Sequence, residues 1–475
     1  MTGETGWELH NEAVERLTTS YAAIPDGAPV RLAKRTTNLF RARAATTVPG
    51  LDVSGLGGVI EVDPEAATAD VQGMCTYEDL VDATLAHGMI PYVVPQLRTI
   101  TLGGAVTGMG IEATSFRSGL PHESVLEMDI LTGSGEIVTA APSPDNEHRE
   151  LFETFPNSYG SLGYATRLKI KLEKVPGYVA LRHIRFDDPG LLAKTIAQIT
   201  EARTYDGVQV DGIDGVAFEP GEYYLTLATW TDTAAGATPS DYGGQQIYYR
   251  SIQERAASGS GTDLLTIRDY LWRWDTDWFW CSGAFGAQNK YVRRLWPRRL
   301  RRSDVYMKLI GLDRRLGIAD KLDARAGRPL RERVIQDIEV PVENLPAFLE
   351  WFDAEIGMRP VWLCPLVSQG IASTGSTTGR AKWPTYPLEP GRTYVNVGFW
   401  GTVHVGPDAV DAPKNRAIEA RVHDLGGHKS LYSEAFYDKD VFNALYDGDN
   451  LAAVKARYDP GNRLTDLYSK AVKSL

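Results

Sequence analysis

Cysteine is scarce in this chain: there are three in 475 residues, Cys75, Cys281 and Cys364. Odd in number and far apart, they build neither a disulfide framework nor a Cys-x-x-Cys metal site, which fits a reducing cytoplasm. Long apolar runs are missing as well. No stretch of roughly 18 uncharged apolar residues occurs, so no membrane-spanning helix is expected. The first ten residues, MTGETGWELH, lack the basic start and apolar core of a signal peptide. Basic residues are outnumbered, 50 Lys and Arg against 61 Asp and Glu for a net charge of −11, which argues against nucleic acid as a partner. The eight histidines are scattered, none at i, i+4 spacing, and no metal centre is expected. His-Glu-x-x-His, Gly-x-Ser-x-Gly and EF-hand spacings are missing too. Their absence sets aside zinc peptidases, hydrolases with a nucleophile elbow and EF-hand calcium proteins.

What is present starts with an ordinary balance, 43% hydrophobic and 23% charged residues, in a chain long enough for two cores. The most informative segment is Thr99–Ser115, which follows the apolar run Pro91–Pro95. Gly103, Gly104, Gly108 and Gly110 fall within it. Glycine removes the Cβ that would keep a backbone N–H away from a phosphate, and it tolerates positive φ. The segment is not a dinucleotide fingerprint, because Gly108-Met109-Gly110 lacks the third glycine at the required offset. Nor is it a P-loop, since Met109, not Lys-Ser/Thr, follows Gly103–Gly108. Taken alone, it suits a tight turn between packed elements as well as a phosphate cradle.

Its neighbours decide between the two. Val125–Thr132, a Gly133-Ser134-Gly135 turn and Glu136–Thr139 read as a hairpin. Asp145–Phe155 reads as a helix, Ser158–Gly163 as a turn, and Ala165–Leu172 as an alternating strand. Glycine loop, hairpin, acidic helix and serine/glycine turn in this order resemble the FAD-binding domain of the vanillyl-alcohol-oxidase-type flavoproteins, over roughly residues 25 to 180. Further on, Pro360–Pro365, Tyr394–Gly401, Leu431–Tyr432 and Phe442–Gly448 resemble the C-terminal half of the Δ24-sterol reductases. Arg31–Phe40 resembles their bacterial relatives. Those include actinobacterial flavoproteins that reduce a methylene-branched fatty acyl chain to its methyl-branched form.

The resemblance implies an α+β fold. A two-part FAD-binding domain would occupy 1–180, an α+β substrate domain with an antiparallel sheet 181–425, and a segment returning to the FAD domain 426–475. FAD would be held non-covalently, because Ile111 stands where family members attach it through histidine and no cysteine is near. By the same likeness Arg35, Thr36 and Asn38 belong to a first pyrophosphate loop. Thr101, Leu102, Gly103 and Gly104, with Gly108, Met109, Gly110 and Ile111, form a second. Ser161 and Gly163 would face the isoalloxazine or ribityl chain, and Tyr432 would touch FAD. The implied activity is reduction of an isolated lipid C=C with NADPH as electron donor, the substrate being a methylene-branched acyl group on phospholipid. A Δ24-sterol-type alkene is the alternative. An FAD-linked alcohol or sugar dehydrogenase is a second alternative, but the lysine such relatives carry after the tyrosine is here Ala435. A third is a non-catalytic lipid-binding flavoprotein.

An unpolarised C=C does not accept hydride unaided, so an acid must protonate it first or in concert, leaving a tertiary centre to take the hydride. The enzyme must therefore place a tuned acid in an apolar pocket. Glu434, His404 and Glu112 are the candidates. Two aromatic and basic segments remain. Trp272–Trp280 holds four tryptophans and suits either a core or an acyl-chain pocket. In Tyr291–Arg302, Arg293, Arg294, Arg298, Arg299, Arg301 and Arg302 surround Trp296. They suit a solvated basic face, a dock for an acidic part of the chain, or a contact with membrane phosphates. The last would make the protein cytoplasmic and peripheral on the inner membrane face, near the methyltransferase that makes the methylene lipid.

Overall fold

Two antiparallel sheets organise the molecule, whose structure is a computed structural model describing residues 4–34, 40–41, 47–234, 236–259, 261–316, 331–372, 379–406, 409 and 411–473. The first sheet contains β1 (Val59–Asp63), β2 (Thr68–Gln72), β3 (Met89–Pro91), β4 (Val125–Leu131), β5 (Ile137–Ala140) and β6 (Tyr164–Lys174). Its order is β1-β2-β6-β4-β5, with β3 also paired to β6. Every residue of β2 is buried, as befits a strand covered on both faces. The hairpin read from Val125–Thr139 is β4–β5, joined through the Gly135 turn at φ 90°. The glycine segment itself opens a short helix, Leu102–Thr107. Thr101 caps it by accepting a hydrogen bond from the Gly104 N–H at 3.2 Å.

The second sheet is larger. After β7 (Tyr178–Phe186) and the two-residue pair β8 (Thr204–Tyr205) and β9 (Val208–Gln209) come β10 (Gly212–Glu219), β11 (Glu222–Thr231) and β12 (Thr262–Thr266). Then follow β13 (Arg331–Pro341), β14 (Val361–Val367), the small pair β15 (Ile371–Ala372) and β16 (Arg380–Ala381), β17 (Thr393–His404) and β18 (His428–Lys429). Eight of these strands lie in the order β12-β7-β11-β10-β14-β17-β13-β18. The expected α+β class with an antiparallel second sheet is what the chain adopts.

Alternation along these strands sorts residues between two faces. One face carries Val334, Ile338, Leu363, Val395, Val397 and Phe399. It packs on helices Pro189–Ala202, Leu345–Glu355 and Pro413–Asp424 through Ile196, Phe352 and Ile418. The other face holds Trp362, Cys364, Asp337 and Asn396. Cross-strand register aligns Trp362 with Gly398 and Gly398 with Asp337, and in the adjacent row Cys364 with Asn396 and Asn396 with Glu339. Trp362 and Cys364 share one core with Val71, Leu168 and Leu102 of the first sheet's domain, so this second face looks toward that domain. The C-terminal helices Lys439–Tyr446, Gly448–Tyr458 and Leu467–Ala471 bury Phe442, Val454 and Ala471 in the same core. Lys470 donates to the Gly160 carbonyl at 2.7 Å, tying the C-terminus back to the first domain.

Candidate active site

A cavity of about 580 Å³ lies where the two sheets' domains meet. One part is polar and basic: Arg31, Lys34, Arg41 and Lys470 line it with Thr101, Gly103, Gly104, Gly108 and Gly110. Lys34 donates to the Thr101 hydroxyl at 3.3 Å. Gly103 sits so close to the Gly73 carbonyl that a Cβ would strike it. That packing fixes the loop, and Gly104 next to it leaves bare backbone exposed. Gln96, also in the lining, has its side-chain Nε2 buried with no hydrogen-bond partner. A buried donor left unpaired is costly, and a ligand acceptor would remove the cost.

The other part is aromatic. Trp278, Phe279, Trp362 and Trp400 line it with Phe40 and Tyr432. Trp278 and Phe279 both hold left-handed backbone, φ 45° and 58°. Such conformations are rare for bulky residues and persist only where packing enforces them. Here Phe279 packs against Trp400 with ring centroids 4.4 Å apart, and Trp278 stacks on Phe40 at 5.9 Å. The tryptophan run is divided, with Trp272 and Trp274 in the core and Trp278 lining the cavity.

Into this part reaches Asp337, the one carboxylate among the described lining residues. Its Oδ1 accepts from Asn396 Nδ2 at 3.0 Å, and the Tyr432 hydroxyl also hydrogen-bonds it. Tyr432 in turn accepts from Trp400 Nε1 at 2.9 Å. Burial pushes the Asp337 carboxyl up to about 6, the two hydrogen bonds only partly offsetting it. A Cβ at Gly398 would collide with this carboxyl and with the Trp400 indole, so the glycine leaves room for both.

Thr101, Gly103, Gly104, Gly108, Met109, Gly110, Ile111 and Tyr432 therefore come together at one cavity. Leu102 does not: its side chain is in the core, and its N–H donates to the Cys75 carbonyl. Ser161 and Gly163 are also off the lining. The turn instead presents Tyr159, Gly160 and Tyr164, because Gly163 is pressed against the Leu131 carbonyl. Arg35, Thr36 and Asn38 lie outside the described residues.

The three acid candidates are displaced by other structure. Glu434 is exposed, and only its backbone carbonyl is engaged, by the buried Lys429 ammonium. His404 is exposed at the end of β17, opposite Arg331. Glu112 is buried but turned from the cavity into an ion cluster, with its Oε1 2.8 Å from Arg273. Sequence reasoning missed Asp337. The available signal was Asp337 and Glu339 at i, i+2 in a strand of Ile335, Ile338 and Val340, which puts both carboxylates on one face. Such a face reads as solvated until a second domain covers it.

The membrane reading of the arginines is likewise divided. Arg293 is buried, its guanidinium on Asp277 at 2.7 Å and on the carbonyls of Gly244, Tyr242 and Gln246. Arg301 is buried among backbone carbonyls, and Arg302 pairs with Glu78 and Asp304. These three serve the fold. Arg294, Arg298 and Arg299 face outward, with Trp296 half-buried between them.

Residues 17–141 match the FAD binding domain family. The cavity's cations, glycine backbone and unpaired Gln96 donor suit the pyrophosphate and polar edges of that cofactor. The chain is an FAD-binding oxidoreductase related to the vanillyl-alcohol-oxidase-type flavoproteins. Relatives that match over most of its length include Δ24-sterol reductases. The one from Arabidopsis thaliana is 25% identical, covering 89% of this chain and 76% of the relative. The one from Homo sapiens is 22% identical over 88% and 76%. Cytokinin dehydrogenase 10 of Oryza sativa is 31% identical over 31% of this chain and 28% of its own length. Among the described residues no helix is long and apolar enough to cross a membrane.

Proposed function

We propose that this protein reduces an isolated carbon–carbon double bond in a lipid, with non-covalently bound FAD and NADPH as electron donor. The favoured substrate is a methylene-branched fatty acyl chain on phospholipid, converted to its methyl-branched form. One observation carries the reading: a single cavity joins a cation-lined, glycine-rich part to an aromatic part with a half-buried carboxyl. The printed names of the long relatives, reductases of a sterol double bond, support the reaction class.

FAD, when bound, supplies a two-electron centre able to give up hydride. The chain's own residues do the rest. Arg31, Lys34, Arg41 and Lys470 offset the pyrophosphate charge. Trp278, Phe279, Trp362 and Trp400 hold an alkyl chain and exclude water from an unpolarised alkene. Ile111 and Ala435, where a covalent histidine and a catalytic lysine would stand by resemblance, leave no device for alcohol oxidation by that route.

Substrate delivery from a bilayer fits the surface. Tyr291 and Leu295 are 68% and 85% exposed, beside the outward Arg294, Arg298 and Arg299. Apolar groups flanked by arginines suit an anionic membrane surface. The methyltransferase that installs the methylene group is the partner this reading implies.

Anaerobic stopped-flow spectroscopy tests the proposal. NADPH should bleach the flavin, and methylene-branched phospholipid should then restore its colour. Restoration by a side-chain-unsaturated sterol alone would move the substrate to sterols. Bleaching by an alcohol and not by NADPH would overturn the reductase.

A further inference from the structure

We propose that Asp337 is the proton donor of the reduction, aimed into the aromatic part of the cavity by Tyr432 and Asn396. The inference rests on the alkene-reductase reading and names the acid that reading requires. Three observations on geometry support it. Asp337 is the one carboxylate among the described lining residues, and it stands beside Trp362, Asn396 and Trp400 on the sheet face that closes the cavity. Its orientation is over-determined by Asn396 Nδ2 at 3.0 Å and by the Tyr432 hydroxyl, itself held by Trp400 Nε1. Gly398, facing it across the strand pair, keeps the space that the carboxyl and the Trp400 ring need.

The step balances as follows. The Asp337 O–H bond breaks and a C–H bond forms at the less substituted alkene carbon, using the π electrons. FAD, when bound, would supply the hydride, drawn from NADPH, for the second C–H bond at the more substituted carbon. Asp337 is left as carboxylate and regains its proton from solvent. Tyr432 and Asn396 are positioning residues: their hydrogen bonds steady the carboxylate as charge develops on it.

Burial raises the carboxyl to about 6, so a fraction stays protonated near neutral pH, where a free aspartate would be ionised almost completely. The hydrogen bonds from Asn396 and Tyr432 act in the opposite direction, favouring the carboxylate, and only partly offset burial. Glu339, two residues along β13, feels the Asp337 charge, as do Tyr159, Tyr432 and Cys364 from the elements packed around it. Cations stand nearby as well, Arg41 acting on Tyr159 and Lys429 on Glu339.

The experiment compares wild type with Asp337→Asn and Asp337→Glu, all loaded with FAD. With the alkene that wild type turns over, Asp337→Asn should reoxidise the flavin about 10²- to 10⁴-fold more slowly. Its FAD content and its reduction by NADPH should stay unchanged. Asp337→Glu should recover part of the rate with a displaced pH profile, and Tyr432→Phe should displace that profile without abolishing turnover. A second readout needs no substrate. Infrared difference spectra between about pH 5 and about pH 8 should show a protonated-carboxyl carbonyl band that Asp337→Asn lacks. Fast alkene reduction by Asp337→Asn, or an Asp337 ionised throughout that range, overturns the assignment. A wild type that bleaches with NADPH and reduces no alkene overturns the reductase reading instead, a result separable from either of those.

Discussion

Arg273 shows how much a single residue arranges in this molecule. Its guanidinium is fully buried, 2.8 Å from Glu112 and 3.0 Å from Asp214, and lies over the Tyr270 ring at 4.0 Å. Asp214 also accepts from the indoles of Trp274 at 2.8 Å and Trp362 at 3.3 Å. One cation thus joins the residue after Ile111, at the end of the glycine segment, to β10 of the second sheet and to a tryptophan of the cavity wall. Breaking a buried ion pair from one side leaves the other charges unpaired, which is more costly than never having built it. Arg273→Met should therefore lower stability by about 3–5 kcal/mol, read by denaturant unfolding, and loosen FAD retention. An unchanged midpoint and full flavin content would show that the cluster is not what joins the two parts. Glu112 was legible as a carboxylate beside the loop. Its duty was not, because Arg273 lies 161 residues away in the chain.

At the scale of elements, Tyr291–Arg302 shows what a charge run conceals. Lys290–Leu295 is a short helix capped by Asn289, and Pro297 then turns the chain. That geometry sends Arg293 and Arg301 inward to acceptors on the Tyr242–Gln246 stretch and leaves Tyr291, Leu295 and Arg294 outside. Exposed residues of this kind contribute little to folding, so replacing them is a clean test of docking. Tyr291→Asp combined with Leu295→Asp should cut partitioning onto anionic phospholipid vesicles by about tenfold or more, the equivalent of one lost large apolar contact. The melting temperature should stay unchanged. Equal flotation of variant and wild type would remove this face from the membrane reading.

For the whole molecule, buried titratable groups set the response to pH. His122 packs face to face on Tyr386 with centroids 4.6 Å apart, and neither ring nitrogen has a hydrogen-bond partner. Burial lowers it to about 3, and His183 and His428 likewise. Their folded values lie below the unfolded 6.5, so their contribution to stability is complete above 6.5 and is lost as pH falls toward 3. Asp337 works in the opposite sense. Raised to about 6, it favours folding at low pH and loses that contribution as pH rises through about 6. His122→Phe keeps the stacked ring and removes the titration. It should lose less melting temperature than wild type between about pH 7 and about pH 5. Parallel curves for the two proteins would show that His122 takes up its proton equally in the folded and unfolded chain, against the lowering by burial.

The local features were written in the chain itself. Period-2 alternation, glycine turns and the glycine-rich segment specify the β4–β5 hairpin, β6 and the loop around Thr101, because each depends on neighbours a few residues away. The FAD-binding character and the antiparallel second sheet were legible only through the resemblance of those segments, taken in their order, to a known family. Tertiary structure decided what lines the cavity and with what charge. Asp337, Trp362, Asn396 and Trp400 lie on three strands and meet only through β-sheet register. Whether a carboxylate on a strand face is solvated or buried depends on what packs over it, and here that is the other domain, more than 150 residues earlier in the chain.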